Sequence, residues 1–190
     1  ALLRERGRRP SGREVTVAAF LTAAAFAAFL VEIPLFWGVH LNLTPLIGIL
    51  VGPVLGGLVV LVVNILSAAI GHGGWGLIGA NVLVNFSEVA AAWLTFVGLR
   101  RVAPGLFARA GIASFGALFI GNLVMVGIVL VSGIQGVTQP ASQVLAGLYL
   151  VVAVNLGAAV IEGLVTGFIV EYIGRVRPGF LEGPGAGRAG

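Results

Sequence analysis

The sequence predicts an all-α integral membrane protein whose core is a bundle of six transmembrane helices. Of its 190 residues, 58% are hydrophobic and only 9% are charged, and a soluble domain of this length needs more charge to cover its surface. The apolar runs are longer than barrel strands and do not alternate, which indicates helices. The basic residues are all arginine and lie at the chain ends and in one loop, where they set membrane orientation.

Composition also excludes several classes of function. The chain contains no cysteine, so neither disulfides nor thiolate metal sites are available. The arginines form no patch interleaved with aromatic residues, and we therefore expect no nucleic-acid partner. The sequence has no phosphate-binding loop of the Walker type, no zinc-protease motif and no nucleophile elbow. We expect a protein that is not an enzyme, has no cofactor of its own, and takes energy from a partner or an ion gradient.

The sequence divides into three parts. Residues 1–14 form a basic segment, residues 15–173 form the transmembrane domain, and residues 174–190 form a tail rich in glycine and proline that we expect to be flexible. The positive-inside tendency places the arginine-rich ends in the cytoplasm. The sequence thus predicts a multi-pass protein of the plasma membrane with both termini cytoplasmic.

The first predicted helix covers Val15–Phe36, which is long enough to cross a hydrocarbon core of about 30 Å at 1.5 Å per residue. Ala19, Ala23 and Ala27 recur at every fourth position of this helix. Small residues at that spacing make a flat stripe on which another membrane helix packs closely. The stripe can serve a partner protein or another helix of the same bundle, and both interpretations stay open.

The next apolar stretch contains Gly52 followed by Pro53, and it can be one helix or two. Proline is well tolerated at a helix start, where its missing N–H group costs nothing. A break there gives two spans, Asn42–Gly52 and Pro53–Ile70, and returns the arginines of a later loop to the cytoplasm. The first of these spans is short, and broken helices of that kind are tolerated where they border a cavity.

Three further spans complete the count of six: Ile78–Leu99, Ile112–Ser132 and Gln143–Tyr172. This topology brings every arginine to the cytoplasmic side. It also places the loop around His40 and the glycine-rich segment Gly71–Gly79 together at the extracytoplasmic side. Polar side chains near that side are therefore the candidates for a binding site.

His40 and His72 are the only histidines in the chain, and a neutral imidazole is the commonest protein ligand for late first-row metals. His40 lies in a short loop, and His72 lies in the sequence GHGGWG, whose glycines let the backbone approach a ligand closely. We predict both as metal ligands, with an interfacial histidine and a simple turn as the competing explanations. The predicted site is lined by Asn42, Thr44, Gly73, Gly74, Asn81 and Asn85.

Glu88 and Glu162 lie deeper in the predicted helices, where an ionisable residue needs a partner or water. They can bind or relay a cation, or they can hold helices together through hydrogen bonds. Solitary polar residues in different membrane helices commonly act in the second way, and we favour that interpretation.

Three segments resemble the CbiM/NikM-type substrate-binding membrane component of cobalt and nickel transporters. They are HLNLTPLIGILVGP from His40, GHGGWGLIGANVLVNFSE from Gly71, and AVIEGLVTGFIVEYI from Ala159. The resemblance covers most of residues 15–175 and is most specific in the HGG and GAN part. It implies the six-helix fold of the substrate-binding (S) component of energy-coupling factor ABC importers, with Co(II) or Ni(II) as the substrate.

The resemblance also implies roles and partners. His40 matches the family's downstream imidazole ligand, and His72 matches a loop that lines the site. The alanine stripe resembles the surface on which such components dock onto a membrane coupling (T) component. That component acts with ATPase (A) subunits, and a small accessory membrane subunit is a further expected partner.

The chain departs from the family in one respect. Family members bind metal through a Met-His-Ile-(Pro/Met)-(Asp/Glu)-Gly sequence on an extra first helix, whereas residues 1–14 are rich in arginine. Two alternatives to metal capture therefore stay open. One is an S component for a small organic nutrient such as a vitamin, and the other is a membrane scaffold that transports nothing.

Overall fold

The computed structural model describes residues 11–30, 32–33, 39–103, 105–132 and 140–181. These residues form helices that pack against their neighbours in chain order, together with a small hairpin of two strands and three short 3-10 turns. The helices are α1 (Gly12–Phe29), α2 (Thr44–Ala69), α3 (Ile78–Gly98), α4 (Leu106–Ser132) and α5 (Ala141–Val176). The strands are β1 (Glu32–Ile33) and β2 (Val39–His40), and the 3-10 turns are Trp75–Leu77, Leu99–Arg101 and Pro178–Phe180.

Helix α1 begins and ends earlier than the predicted span Val15–Phe36. Its start is fixed by a capping box, in which the Ser11 side chain accepts a hydrogen bond from the Glu14 backbone at 3.3 Å. The Glu14 carboxylate accepts in return from the Ser11 backbone N–H at 2.6 Å. The pattern Ser-x-x-Glu was visible in the sequence, so the earlier start follows from a signal that hydropathy alone had hidden.

Helix α2 is interrupted at Gly52, whose φ of 75° and ψ of 177° are not helical. Glycine adopts such a left-handed φ without steric strain. Pro53 follows and begins a new helical segment, where its missing N–H is harmless. The break divides α2 into a half-helix, Thr44–Val51, and a longer segment, Pro53–Ala69.

The chain reverses direction at this break. Gly48 and Gly56 lie on opposite sides of the break, yet both pack against Val89 of α3. A Cβ on Gly56 would come within 3.4 Å of the Ile47 side chain, although nine residues of straight helix span about 13 Å. The half-helix is therefore folded back on the longer segment.

The prediction of six membrane spans is not supported. Within the described ranges, four helices are long and apolar enough to cross a membrane, and α1 supplies only a shorter apolar stretch, Glu14–Ala28. The half-helix of α2 is about 12 Å long at 1.5 Å per residue, whereas a bilayer core is about 30 Å thick. The predicted break exists, but it produces a half-helix that turns back instead of an additional span.

Helix α4 begins at Leu106, before the predicted start at Ile112. Arg109, which was expected in a loop, is therefore part of a helix. Its guanidinium carbon lies 4.1 Å from the centre of the Phe96 ring, a distance at which a cation is attracted to the aromatic face. This contact joins the first turns of α4 to α3.

Helix α5 exceeds its predicted span, Gln143–Tyr172, at both ends. The first residues of the predicted tail are consequently helical, and a 3-10 turn follows them. Arg175 and Glu171 form an ion pair at 2.5 Å on the last turns, the spacing at which opposite charges support a helix. Residues 182–190 of the predicted tail lie outside the described residues.

Replacing Gly48 with alanine should destabilise the bundle, because the new methyl group would overlap the Val89 carbonyl oxygen. Overpacking of this kind costs about 1–3 kcal/mol, so we expect a lower midpoint of thermal unfolding in detergent. Gly127→Ala on α4 is the matched control, since a Cβ there meets nothing within 4 Å. Equal midpoints for the two variants would contradict the close packing of the half-helix on α3.

Candidate functional site

Two carboxylates lie in the interior of the bundle, Glu88 on α3 and Glu162 on α5. Their exposed fractions are 5% and 3%. Both are contacted by Asn42–Thr44, the segment that leads into the half-helix of α2. Because the half-helix turns back at the Gly-Pro break, the polar groups of Asn42 and Thr44 lie beside these carboxylates inside the bundle. A helix that simply crossed the membrane would place apolar residues there.

Glu88 is held by hydrogen bonds from this segment. Its Oε2 accepts from Thr44 Oγ1 at 2.5 Å and from Asn42 Nδ2 at 3.5 Å. The same Asn42 amide also donates to Asn85 Oδ1 at 3.2 Å. Gly121 of α4 makes room for the carboxylate, because a Cβ at that position would overlap Glu88 Oε1. Glu88 is therefore held by hydrogen bonds from one segment and by close packing against α4.

Glu162 is only partly satisfied. Its Oε2 accepts from the Asn42 backbone N–H at 3.3 Å. Leu43 has a φ of 52°, a left-handed conformation that is uncommon outside glycine. Glu162 Oε1 is buried and accepts no hydrogen bond from any described residue. A buried acceptor without a partner is costly.

The carboxylates border a cavity of about 120 Å³, which is more than the volume that one water needs. The side-chain amides of Asn122 on α4 and Asn155 on α5 also border this cavity, and Asn155 Nδ2 donates to Asn122 Oδ1 at 3.0 Å. The cavity is lined by Asn42, Val84, Glu88, Leu118, Gly121, Asn122, Met125, Asn155, Ala158, Ala159 and Glu162. A larger groove of about 440 Å³ between α4 and α5 is lined by apolar residues and offers no ligating side chain.

One face of α3 carries a polar stripe toward this cavity. Asn81, Asn85 and Glu88 are spaced four and three residues apart, which places them on successive turns of one face. The stripe covers about 10 Å along the helix axis. At its N-terminal end, a Cβ on Gly73 would lie 3.1 Å from Asn81 Nδ2. The stripe therefore links the glycine-rich turn to the buried carboxylates.

The glycine-rich turn follows α2 directly. His72 lies in it, and its backbone N–H donates to the Ser67 carbonyl at 2.8 Å. Gly73 and Gly74 have φ values of 81° and 71°, which side-chain-bearing residues rarely adopt. Both glycines are thus needed for the turn itself, whatever else they contact.

His40 ends strand β2 and pairs with Glu32 of β1. Its side chain lies outside the described part of the structure, so the predicted joint coordination by His40 and His72 stays a prediction. Among the described residues, no group of three or more His, Cys, Asp and Glu side chains lies together.

The alanine stripe faces outward. Leu21 and Ala25 of α1 are buried, and Ala25 belongs to a core cluster with residues of α2 and α3. Ala19, Ala23 and Ala27 lie on the other side of α1 and are exposed. The interpretation as packing within the described bundle is therefore excluded for these three residues.

The structure brings Asn42, Thr44 and Asn85 of the predicted lining together with Glu88. Glu162 and the amides Asn122 and Asn155, which the sequence analysis did not place in the predicted site, border the same cavity. One signal was available: the spacing of Asn81, Asn85 and Glu88 on a single helix face. No pattern in one sequence indicates that residues of α4 and α5 meet the half-helix.

A comparison with known protein families shows to which family the chain belongs. The chain matches the family described as "Cobalt uptake substrate-specific transmembrane region" over residues 1–180. The chain belongs to the CbiM family. This membership confirms the resemblance seen in the three sequence segments, and together with the apolar helices it establishes a multi-pass membrane protein of a transport-component family.

Two CbiM proteins of Methanocorpusculum labreanum (strain ATCC 43576 / DSM 4855 / Z), both named for cobalt transport, are among the relatives. CbiM 1 is 30% identical over 169 residues, which cover 84% of this chain and 71% of the relative. CbiM 2 is 36% identical over 138 residues, which cover 68% of this chain and 55% of the relative. The chain thus spans about seven-tenths of one relative and just over half of the other. No solved structure matches significantly.

Replacing Thr44 with valine should destabilise this CbiM protein, because the near-isosteric change removes the hydroxyl donor to Glu88 and leaves a buried carboxylate short of a partner. The expected loss is about 1–3 kcal/mol, measured as the thermal midpoint in detergent. The matched control is Thr22→Val on α1, whose hydroxyl donates only to the Ala18 carbonyl of its own helix at 2.8 Å. A midpoint for Thr44→Val as high as that of the control would show that the bond contributes nothing.

Proposed function

We propose that the chain is a substrate-capture subunit that binds divalent cobalt or nickel at the extracytoplasmic face of the membrane. The observation that carries the proposal is the polar stripe from the His72 turn to the buried carboxylates, in a chain of the cobalt-uptake family. Imidazole nitrogens suit Co(II) and Ni(II). His40 and His72 therefore supply the nitrogen ligands, with amide groups of the stripe beside them.

The proposed orientation follows from the arginines. The positive-inside tendency assigns the arginine-rich N-terminal segment, the turn Leu99–Arg101 and the end of α5 to the cytoplasm. The N-terminal end of α3 and the glycine-rich turn then lie on the opposite side, where an ion arriving from outside reaches them first.

The proposed partners are those of an energy-coupling factor importer. Ala19, Ala23 and Ala27 form an exposed flat stripe on α1, and small residues at this spacing allow close packing of a foreign helix. We assign this stripe to the membrane coupling (T) component. The ATPase (A) subunits supply energy, since the sequence contains no nucleotide-binding motif, and a small accessory membrane subunit completes the assembly.

The alternative of an organic nutrient is less well supported. Pockets for small organic ligands measure about 300–1,000 Å³, whereas the polar cavity measures about 120 Å³. That volume suits a partly hydrated ion better than a vitamin, and the groove of about 440 Å³ between α4 and α5, which is large enough, is lined by apolar residues without a polar side chain to orient a ligand.

Substituting either histidine by alanine should weaken binding of Co(II) and Ni(II) by about 100-fold, because each change removes one imidazole from a small ligand set. Isothermal titration of the purified protein in lipid nanodiscs measures this. Gln143→Ala, an exposed polar residue near the start of α5, is the control. Heats of binding for His40→Ala and His72→Ala equal to those of the control would overturn metal capture by these residues.

Replacing Ala23 with leucine should disrupt docking, because the larger side chain would hold a partner helix away from α1. We expect loss of co-purification with the T component while the thermal midpoint of the isolated subunit stays unchanged. Ala146→Leu, at an exposed position on α5, is the matched control. Retention of the T component by the Ala23 variant would contradict the assigned surface.

A further inference from the structure

We infer that the interior cavity bounded by Glu88 and Glu162 is a second site for a divalent cation, which carboxylate and amide oxygens would hold. It is separate from the histidines of the proposed capture site. The described side chains that border it offer carboxylate and amide oxygens but no imidazole. Oxygen donors of this kind suit hard divalent ions such as Mg²⁺ and Mn²⁺.

Charge balance is the first argument. Both carboxylates are at least nine-tenths buried, and an ionised carboxylate without a counter-charge is very costly in a low-dielectric interior. Within the described ranges the ion pair is between Arg175 and Glu171, so no arginine there neutralises either group. One divalent cation balances two carboxylates completely, whereas a monovalent cation leaves one negative charge.

An unused ligand atom is the second, independent argument. Glu162 Oε1 is buried, belongs to a residue that lines the cavity, and accepts no hydrogen bond from the described residues. Hydrogen-bond donors hold Oε2 of both carboxylates. Supporting hydrogen bonds of this kind orient ligating carboxylates at metal sites, and they leave Glu162 Oε1 without a hydrogen-bond donor among the described residues.

Access and size agree with this assignment. The cavity volume of about 120 Å³ accommodates an ion with part of its hydration shell. The stripe of Asn81 and Asn85 supplies polar groups from the glycine-rich turn to Glu88. A cation that moves along α3 can therefore replace hydration waters with the side-chain oxygens of Asn81 and then Asn85, which lie one helical turn apart.

The binding itself is independent of the capture site. The role of the cavity as an interior station for the transported metal rests on the proposed function. Glu162 would then receive an ion that the histidines release.

Mn(II) titration of the full chain in lipid nanodiscs, followed by electron paramagnetic resonance, tests the inference. Binding removes the six-line signal of free Mn(II). We expect the wild-type chain to bind Mn(II), and Glu162→Gln to weaken this binding by at least about 10-fold, the lower limit for loss of a supporting group at a metal site. Glu171→Gln, which removes a carboxylate of the same helix outside the cavity, should bind as the wild type does.

His72→Ala separates the two proposals, because it should lose affinity for Ni(II) and keep its affinity for Mn(II). No Mn(II) binding by the wild type, or equal binding by Glu162→Gln, would overturn the interior site and leave the capture site intact. In that case the cluster is a protonated network that links the helices.

A measurement on the wild type alone covers the case in which Glu162→Gln does not fold. Electron spin echo modulation detects nitrogen coordinated to Mn(II). We expect no imidazole nitrogen coupling, since no histidine is among the described residues that line the cavity. A clear imidazole coupling would place the ion at the histidines and overturn the inference.

Discussion

The hydrogen bond between Thr44 and Glu88 is the constraint on which the rest of the site depends. It ties the start of the half-helix to the middle of α3 at 2.5 Å. Because the half-helix is fixed there, the preceding backbone N–H of Asn42 reaches Glu162 of α5. Without this tie, two buried carboxylates on different helices would face each other with few donors between them.

Close helix packing makes this arrangement possible. Gly48 and Gly56 let both arms of the broken helix approach Val89, and Gly121 lets α4 approach the Glu88 carboxylate. Glycine at a helix contact sacrifices some helical stability, but it permits the backbones to come near enough for short polar side chains to meet. In this protein the glycines therefore position the polar cluster as well as packing the bundle.

Much of the fold could be predicted from the sequence, because length and hydropathy identify membrane helices directly. The break at Gly52 and Pro53 was also predictable from the chemistry of these two residues. The number of spans that the break produces was not predictable, because a further span and a half-helix that turns back are both apolar and hydropathy cannot distinguish them. The count of six is not supported for this reason.

Local sequence identifies candidate polar residues on one element, such as Thr44 and Asn85. It cannot indicate that α4 and α5 meet them, because that contact arises only from the tertiary packing. A double-mutant cycle of Thr44→Val and Glu88→Gln measures the central interaction most directly, as the unfolding free energy of both single variants and the double variant. We predict a coupling energy of about 1–3 kcal/mol, whereas effects that add within about 0.5 kcal/mol would contradict the account.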